Sequence, residues 1–498
     1  MISSLVAMKQ LTEQRKRVAA YNAVMQTELN LGGLWICSDG KPYWADGISR
    51  RVIPIDPKNA EMWALLTTRY ALTSTDTFSR HVVSVLEAFT IAQGARRALT
   101  RFAHYDGDNN VLHLSRYDGT SYRIAGDGNF DIIPNGAGAL FVDDDGGIPC
   151  QPIVGPHGVF LPTVINDLNY ADPEGTGLAA IHQRRLFAIW ALALPFASII
   201  QNGRPVLLVT GEHRSGKTSA VQRLQIVVRG AASGQQIGEK SEDDFGVTIM
   251  RDALALVDNL DTHHDWLDDA LCAMATGVGW RRRKKFSNTK VVEIKPKGWI
   301  AITTRRPQIF HRPDVADRLL ILKLRQRRAF NADMLASAFA DRSRLYGEYL
   351  WYLNAVVARL RQPRTPNAAE TKHRLAGFAR FAFIAGEVLG FTEEEITESL
   401  DAAQIARNVL TTEGDPVADL LDIWLENLSN IGREVRPQDL LNDLQQIGAK
   451  RNVTLLFRTG RSLALRLREC ADAMAKTFEI TVKDLADGNQ SIVVRRAV

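Results

Sequence analysis

The sequence predicts an open, parallel α/β sheet carrying an anion-binding loop, set between a mixed α+β amino-terminal region and a carboxy-terminal module of three helices and a β-wing. Three observations carry that prediction. Pro205–Ser219 runs from an apolar strand through Gly211-x-x-x-x-Gly216-Lys217-Thr218 into a helix-compatible segment, the strand, glycine-bounded turn and helix that a phosphate-binding loop requires. Three further apolar strands, Ala253–Val257, Trp299–Ile302 and Leu319–Leu324, have polar groups at or beside their ends, as in open sheets that bind ligands along the carboxyl edge. Near the carboxyl terminus, helical spacing gives way to short alternating strands around Asp487-Gly488-Asn489, the order of a winged helix-turn-helix.

Bulk properties narrow the class. With 498 residues and 45% hydrophobic content, the chain can hold about two to four domains with a substantial core. The net charge of +5 says little about partners unless it is locally concentrated. Cys37, Cys150, Cys272 and Cys470 are far apart with no C-x-x-C pair, which points to reduced thiols in a cytoplasmic protein and away from zinc. The first apolar patch precedes its Lys/Arg cluster, the reverse of a secretory signal. The longest apolar run, Phe187–Ile200, contains Pro195 and is shorter than the roughly 20 residues a membrane span needs. It reads as a buried helix beside the nucleotide domain, and no membrane partner is expected.

Residues 1–160 form the mixed region. Trp35 and Tyr43-Trp44 flank Ser38-Asp39-Gly40 as a hairpin, and Glu61–Tyr70 and His81–Ala92 show helical spacing. Strands follow at Val111–Leu114, Tyr122–Ile124 and Phe130–Ile133, with turns at Asp118-Gly119 and Asp127-Gly128-Asn129. Asp143-Asp144-Asp145 reads as a solvated acidic turn, the alternative being a Mg²⁺ or primase-type acidic site.

Residues 161–326 form the nucleotide-binding core. Gly211 and Gly216 let the backbone curl so that its N–H groups, through Glu212, His213, Arg214 and Ser215, face an anion-sized hollow, and the helix carrying Ser219 adds its positive end. Lys217 can reach the terminal phosphates of ATP, and the Thr218 hydroxyl can ligate Mg²⁺. The strand Ala253–Val257 delivers Asp258, the Walker B carboxylate, which holds Mg²⁺ through water. Asn259 stands where a second acid usually activates the lytic water. Asp261 either takes that role or caps the helix opening near Asp265. Thr303-Thr304 ends the next strand and offers a hydroxyl to the γ-phosphate or the water.

Residues 279–298 read as a cationic hairpin about Ser287-Asn288-Thr289. Alternation puts Trp280, Arg282, Lys284 and Phe286 on one face and Arg281, Arg283 and Lys285 on the other. Positive charge bracketed by aromatics, with Lys290 beyond the turn, suits a DNA backbone with bases stacked on the rings. The other reading is a solvated edge hairpin whose charges resist pairing. Residues 327–413 are helical and arginine-rich. Residues 414–498, beyond a boundary at Gly414-Asp415-Pro416, read as helices Val417–Leu428, Pro437–Ile447 and Ser462–Ala475 and a wing, Phe478–Lys483 and Ser491–Arg495, with Arg458, Arg461, Arg466 and Arg468 before or on the third helix. That module binds DNA or contacts protein.

Taken together, GEHRSGKTS, LALVDNLDTHHDWLDDALCAMATGVGW and HRPDVADRLLILKL resemble the P-loop ATPases of phages and integrated mobile elements that carry a superfamily-three or minichromosome-maintenance-like helicase core. The resemblance is closest over Val206–Leu324. It implies an AAA+ fold, a ring that is usually hexameric with ATP at subunit interfaces, and a pre-sensor hairpin lining a central DNA channel. By position it makes Asp258 the Walker B acid and Thr304 sensor one, with Arg318 as the finger reaching a neighbour's γ-phosphate and Arg312 in reserve. Thr304 departs from the Asn usual in relatives, and Ser287-Asn288-Thr289-Lys290 from their acidic turn. The function this implies is an ATP-driven DNA helicase or translocase for replication of a phage or mobile element, acting on single strands or forks beside host or element replication proteins. The rival expectation is an initiator or loader that switches on ATP without unwinding, and a small-molecule phosphotransferase fits less well because no acceptor site is visible.

Overall fold

The computed structural model describes residues 13–142, 146–172, 178–200, 203–234, 242–251, 253–277, 280–283, 291–294, 298–310, 312–327, 333–367, 369–412, 416–451, 455, 457–475, 477–485 and 490–497. Asp143–Asp145, the hairpin residues Lys284–Lys290, the turn Asp487–Asn489 and the boundary pair Gly414-Asp415 lie outside them.

The first helix, α1 (Glu13–Asn30), leads into β1 (Leu34–Ser38), β2 (Lys41–Ala45) and β3 (Val52–Pro54). Trp35 pairs with Trp44 across β1 and β2 and the rings stack 6.0 Å apart, while Asp39 and Gly40 take the positive φ of a tight hairpin turn. Helices α2 (Ala60–Tyr70) and α3 (Thr77–Gln93) cover this sheet, and β4 (Ala95–Arg96) completes the order β3-β2-β1-β4. A four-strand antiparallel meander follows, β5 (Ala103–Asp106), β6 (Val111–Ser115), β7 (Thr120–Ile124) and β8 (Phe130–Pro134). The sequence predicts three of these strands. Strand β5 has too little apolar content to be visible alone.

Next come α4 (Ala180–Ala193), β9 (Val206–Gly211), α5 (Lys217–Arg229), α6 (Glu242–Arg251), β10 (Leu254–Val257), α7 (Asp265–Thr276), the paired strands β11 (Trp280–Arg283) and β12 (Val291–Ile294), β13 (Trp299–Thr304), α8 (Pro313–Ala316) and β14 (Leu319–Leu324). The central sheet is parallel throughout, in the order β10-β13-β9-β14. Its strands read as continuous apolar runs because both faces are buried. Alternate residues enter two separate cores. Leu207, Val209, Leu254, Leu256, Ala301 and Leu322 face α4 and α5, whereas Leu208, Val257, Ile300, Ile302 and Ile321 face α7 and α8. Helix α6 opens on the acidic run Glu242-Asp243-Asp244 and buries Phe245 and Ile249 in the second core, a periodicity too short to outweigh its flanking charges.

The run Phe187–Ala193 is buried on every side in α4, and Pro195 turns the chain through a short 3₁₀ segment, Leu194–Phe196. Trp190 donates to the Pro205 carbonyl at 3.1 Å and meets Trp299 edge-on at 5.7 Å, so α4 is bolted to the ends of β9 and β13. The same core continues into α10 (Arg342–Leu360) and α12 (Ala376–Val388), which follow α9 (Met334–Ala340) and α11 (Ala369–Lys372), and also into the meander through Leu112, Tyr122 and Ile124. It crosses residues 160 and 326 without a break. Glu348 of α10 accepts the Val159 and Phe160 N–H groups, fixing the chain where it enters the central unit.

Helix α13 (Glu393–Thr412) ends the helical part. Then α14 (Pro416–Trp424), β15 (Glu434–Val435), α15 (Pro437–Lys450), α16 (Gly460–Met474), β16 (Phe478–Asp484) and β17 (Gln490–Arg496) build a separate small core, with the strands in the antiparallel order β15-β17-β16. Helix α16 packs on α13 and α8 of the central unit. No helix among the described residues is long and apolar enough to cross a membrane. Trp190→Ala removes a fully buried aromatic and its hydrogen bond, and is expected to cost about 3–5 kcal/mol, read as a lower denaturation midpoint by near-ultraviolet circular dichroism.

Candidate nucleotide-binding site

The loop Gly211–Thr218 leaves the carboxyl end of β9 between β13 and β14. Gly211 is required by packing: a Cβ there would lie 2.2 Å from the Leu324 carbonyl oxygen. Gly216, at φ 83°, is the residue before α5 and sits in the left-handed region that favours glycine. Arg214 also takes positive φ, the left-handed conformation that recurs in anion-binding nests. Glu212 and His213 form the outer bend, Ser215 is buried, and Ser219 is on the first turn of α5. Lys217 is 7% exposed. Its Nζ donates to the carbonyls of Gly211 (2.8 Å) and Glu212 (2.7 Å) and to Ser215 Oγ (3.3 Å). Burial lowers its pKa, with Arg305 adding to the effect and Asp261 and Asp258 opposing it.

Asp258 follows β10 and is held by two hydroxyls. Thr218 Oγ1 donates to Asp258 Oδ1 at 2.6 Å and Thr303 Oγ1 donates to the same oxygen at 2.7 Å. Asn259 has φ 54°, a conformation Asn tolerates better than most residues, and its side-chain amide reaches Asp258 Oδ2 at 3.2 Å. A hydroxyl beside a carboxylate is an oxygen-only donor set, which fits Mg²⁺ completed by water and phosphate.

Asp261 does not cap α7, whose preceding residue is His264. It accepts instead from Thr304 Oγ1 (3.1 Å), Arg305 N (2.8 Å) and Arg305 Nε (2.7 Å). Burial pushes the Asp261 carboxyl up, but the Arg305 and Thr304 donors outweigh it and leave the pKa lowered. Thr303 and Thr304 are both buried and divide the work: Thr303 orients Asp258, and Thr304 is tied to Asp261. Arg305 was not among the residues drawn from the sequence; its only local signal is that it follows the threonine pair.

Arg318 lies at the opposite end of the sheet. Val206 pairs with Leu319 at one end of β9 and Gly211 with Leu324 at the other, so Arg318 starts roughly 17 Å from its own loop. Its Nη1 donates to the Asp314 carbonyl, and neither Asp314 nor Asp317 takes it in an ion pair: Asp317 accepts from Arg374 and the Asp314 carboxylate from Arg312. Arg312 is also bonded to Asp269 and lies 3.6 Å from the buried Asp268, so its guanidinium is engaged within the chain.

Strands β11 and β12 pair antiparallel, Arg281 opposite Glu293, Arg282 opposite Val292 and Arg283 opposite Val291. The expected DNA contacts Lys284, Lys285 and Lys290 lie outside the described residues. Buried Arg204 fastens the base of this hairpin, donating to the Met274 carbonyl at 3.2 Å and the Gly298 carbonyl at 3.3 Å. A cavity of about 780 Å³ opens beside it, lined by Arg97, His104, Ser198, Arg204 and Thr276, well away from the loop. On α16 the outward stripe is Arg461, Leu465 and Arg468, and Arg468 is paired with Asp484 at 3.0 Å.

The architecture and site define a mixed α/β protein whose parallel sheet gathers a glycine loop, a carboxylate and two threonines at one edge. Residues 188–390 match the sequence profile of a family described as the actinomycete integrative conjugative element replication protein. No curated protein matches the chain. Among solved structures, the C-terminal region of NrS-1 aligns with a TM-score of 0.42 at 10% identity over 96% of this chain and 98% of that one. An active helicase, SCCmec type IV Cch, aligns at 0.44 and 13% over 92% and 90%.

Asp268 is buried without a hydrogen-bond partner among the described residues, and its pKa is raised to about 6 by burial, against the attraction of His263 and Arg312. A carboxyl whose pKa is raised on folding weakens the fold above that pKa and ceases to do so as pH falls toward the unfolded value near 4. Asp268→Asn should therefore raise Tm by about 2–4 °C at pH 8 and change it little near pH 4, read by calorimetry at both pH values.

Proposed function

We propose that this chain is an ATP-driven DNA translocase or helicase serving replication of a mobile element. The observation that carries the reading is the Thr218–Asp258–Thr303 cluster beside the Gly211–Thr218 loop, on strands of which β13 directly follows the cationic hairpin. The family match over residues 188–390 supports the mobile-element and replication setting.

In this reading the loop N–H groups and Lys217 hold the phosphates of ATP, and Lys217 exchanges its two carbonyl partners for phosphate oxygens. Thr218 and Asp258 would hold Mg²⁺, which supplies charge neutralisation at the transferred phosphoryl group. Asp261, kept ionised by Arg305 and Thr304, is suited to orienting water and sensing the γ-phosphate rather than to taking a proton, because a general base works best with a pKa near the working pH. Arg318, far from its own loop, acts on the nucleotide of a neighbouring subunit in a ring, hexameric by resemblance, as a fixed planar cation on developing charge. A change at Thr303 and Thr304 would be carried down β13 into the hairpin, whose Arg281, Arg282, Arg283, Lys284, Lys285 and Lys290 engage the DNA backbone, while the carboxy-terminal module, a winged helix in this reading, adds a second DNA contact.

One observation favours a second reading, an initiator or loader that switches without unwinding. Asn259 replaces the second acid, and the nearest substitute, Asp261, is bound to Arg305.

If the first reading holds, wild-type protein separates a forked duplex with ATP and Lys217→Ala loses at least 100-fold in DNA-stimulated ATPase, roughly the scale of a lost transition-state contact. ATP hydrolysis without strand separation would favour the switch. Arg318→Ala mixed with wild type should depress ATPase more than dilution does, and strictly proportional loss would exclude action between subunits. Arg282→Ala with Lys284→Ala should weaken single-strand binding and reduce its salt slope by about two with ATP affinity intact, as measured by fluorescence anisotropy.

A further inference from the structure

The metal-directed groups Thr218, Asp258 and Thr303 face one flank of β9, toward β13 and β10. A second cation stands on the other flank. Arg327 is three residues beyond β14, the strand that pairs with β9 on that side. Its Nε lies 3.8 Å from the place a Cβ on Gly216 would occupy, directly over the loop. Its Nη2 donates to the Asp167 carbonyl and, at 3.0 Å, to Asp167 Oδ2.

That carboxylate oxygen is already taken. Arg223, a buried arginine on α5, donates to it at 2.7 Å, and Arg223 has two further guanidinium nitrogens without partners among the described residues. Two guanidiniums thus share one carboxylate next to the start of α5, where the helix dipole is also positive. The excess charge has a definite direction. The segment carrying Asp167 is laid along β14: Ala171 N donates to the Lys323 carbonyl (2.7 Å), Arg325 N to the Asn169 carbonyl (2.8 Å) and Asn169 Nδ2 to the Gln326 carbonyl (2.9 Å). This holds Arg327 at the loop's edge and leaves it half-buried.

We propose that Arg327 is a second phosphate-binding cation, gripping the nucleoside-proximal phosphate of the nucleotide held by its own subunit's loop. The inference rests on the nucleotide reading above. A nucleotide whose terminal phosphate and Mg²⁺ face Asp258 runs back across β9 toward β14, where Arg327 is. On binding, Arg327 leaves Asp167 Oδ2 to Arg223, a one-to-one pair, and carries its own charge to the ligand. That phosphate is present in both di- and triphosphate and is not transferred, so the contact stabilises ground and transition states alike.

The test is calorimetric titration of the full chain with ADP and with a slowly hydrolysed ATP analogue, each with Mg²⁺. Arg327→Ala should weaken both by roughly 10-fold or more, Arg327→Lys should recover part of the loss, and steady-state ATPase should show the effect in KM more than in kcat. Asp167→Asn, which frees Arg327 from its carboxylate, should bind both nucleotides as tightly as wild type or more so. Wild-type affinity in Arg327→Ala overturns the inference, as does a loss confined to the ATP analogue, which would put Arg327 at the terminal phosphate. Equal losses in Arg327→Ala and Asp167→Asn would make Arg327 a structural tether and overturn it too. Lys217→Ala measured in parallel separates the two levels: if it binds ADP like wild type, the nucleotide reading itself fails.

Discussion

One carboxylate oxygen held between two hydroxyls sets the demands on the rest of the molecule. Asp258 Oδ1 accepts from Thr218 on one side and Thr303 on the other, and these three residues come from a helix start and two different strands. They meet only if β10, β13 and β9 lie adjacent, parallel and level at their carboxyl ends. Burial of both sheet faces imposes that register, because a one-residue slip would exchange the two apolar sets between cores. The packing of α4 and α5 on one face and α7 and α8 on the other is therefore a condition for the site, as well as a source of stability.

The same geometry ties the site to more distant parts. Helix α7 runs from beside this cluster to the base of the β11–β12 hairpin and strand β13 runs from that base back to the cluster, and Arg204 bonds one carbonyl from each side of the base. Burial lowers the pKa of Arg204, and a desolvated guanidinium satisfied by carbonyls holds its position firmly. The short helix α8 carries Asp314, which anchors both Arg312 and Arg318, and α16 of the carboxy-terminal module rests against it. Movement at the hairpin base or at α8 is thus mechanically connected to the sheet and to the final domain.

Much of this was legible in local patterns. The glycine spacing from Gly211 to Thr218, the apolar strands of the sheet and the Trp35–Trp44 hairpin are short-range signals, each set by backbone conformation or by alternation over a few residues. Helix α6 was hidden because its ten residues are too short a stretch for the apolar pair Phe245 and Ile249 to stand out as a helical face beside Glu242, Asp243 and Asp244. Strand β5 was hidden because its pairing partner β6 makes it a strand, not its own composition. The partition of roles between Thr303 and Thr304 depends on which neighbour each side chain meets, and adjacent residues on a strand face opposite ways.

The amino-acid sequence by itself determined where the loop, its carboxylate and the cationic hairpin fall along the chain, since those depend on residue type at fixed spacing. Only the tertiary structure decided which distant residues share a charge: Arg305 with Asp261, Arg312 with three aspartates, and Arg223 and Arg327 with Asp167, 56 and 160 positions away. Ion pairing depends on distance through space and on burial, and neither is written in linear order.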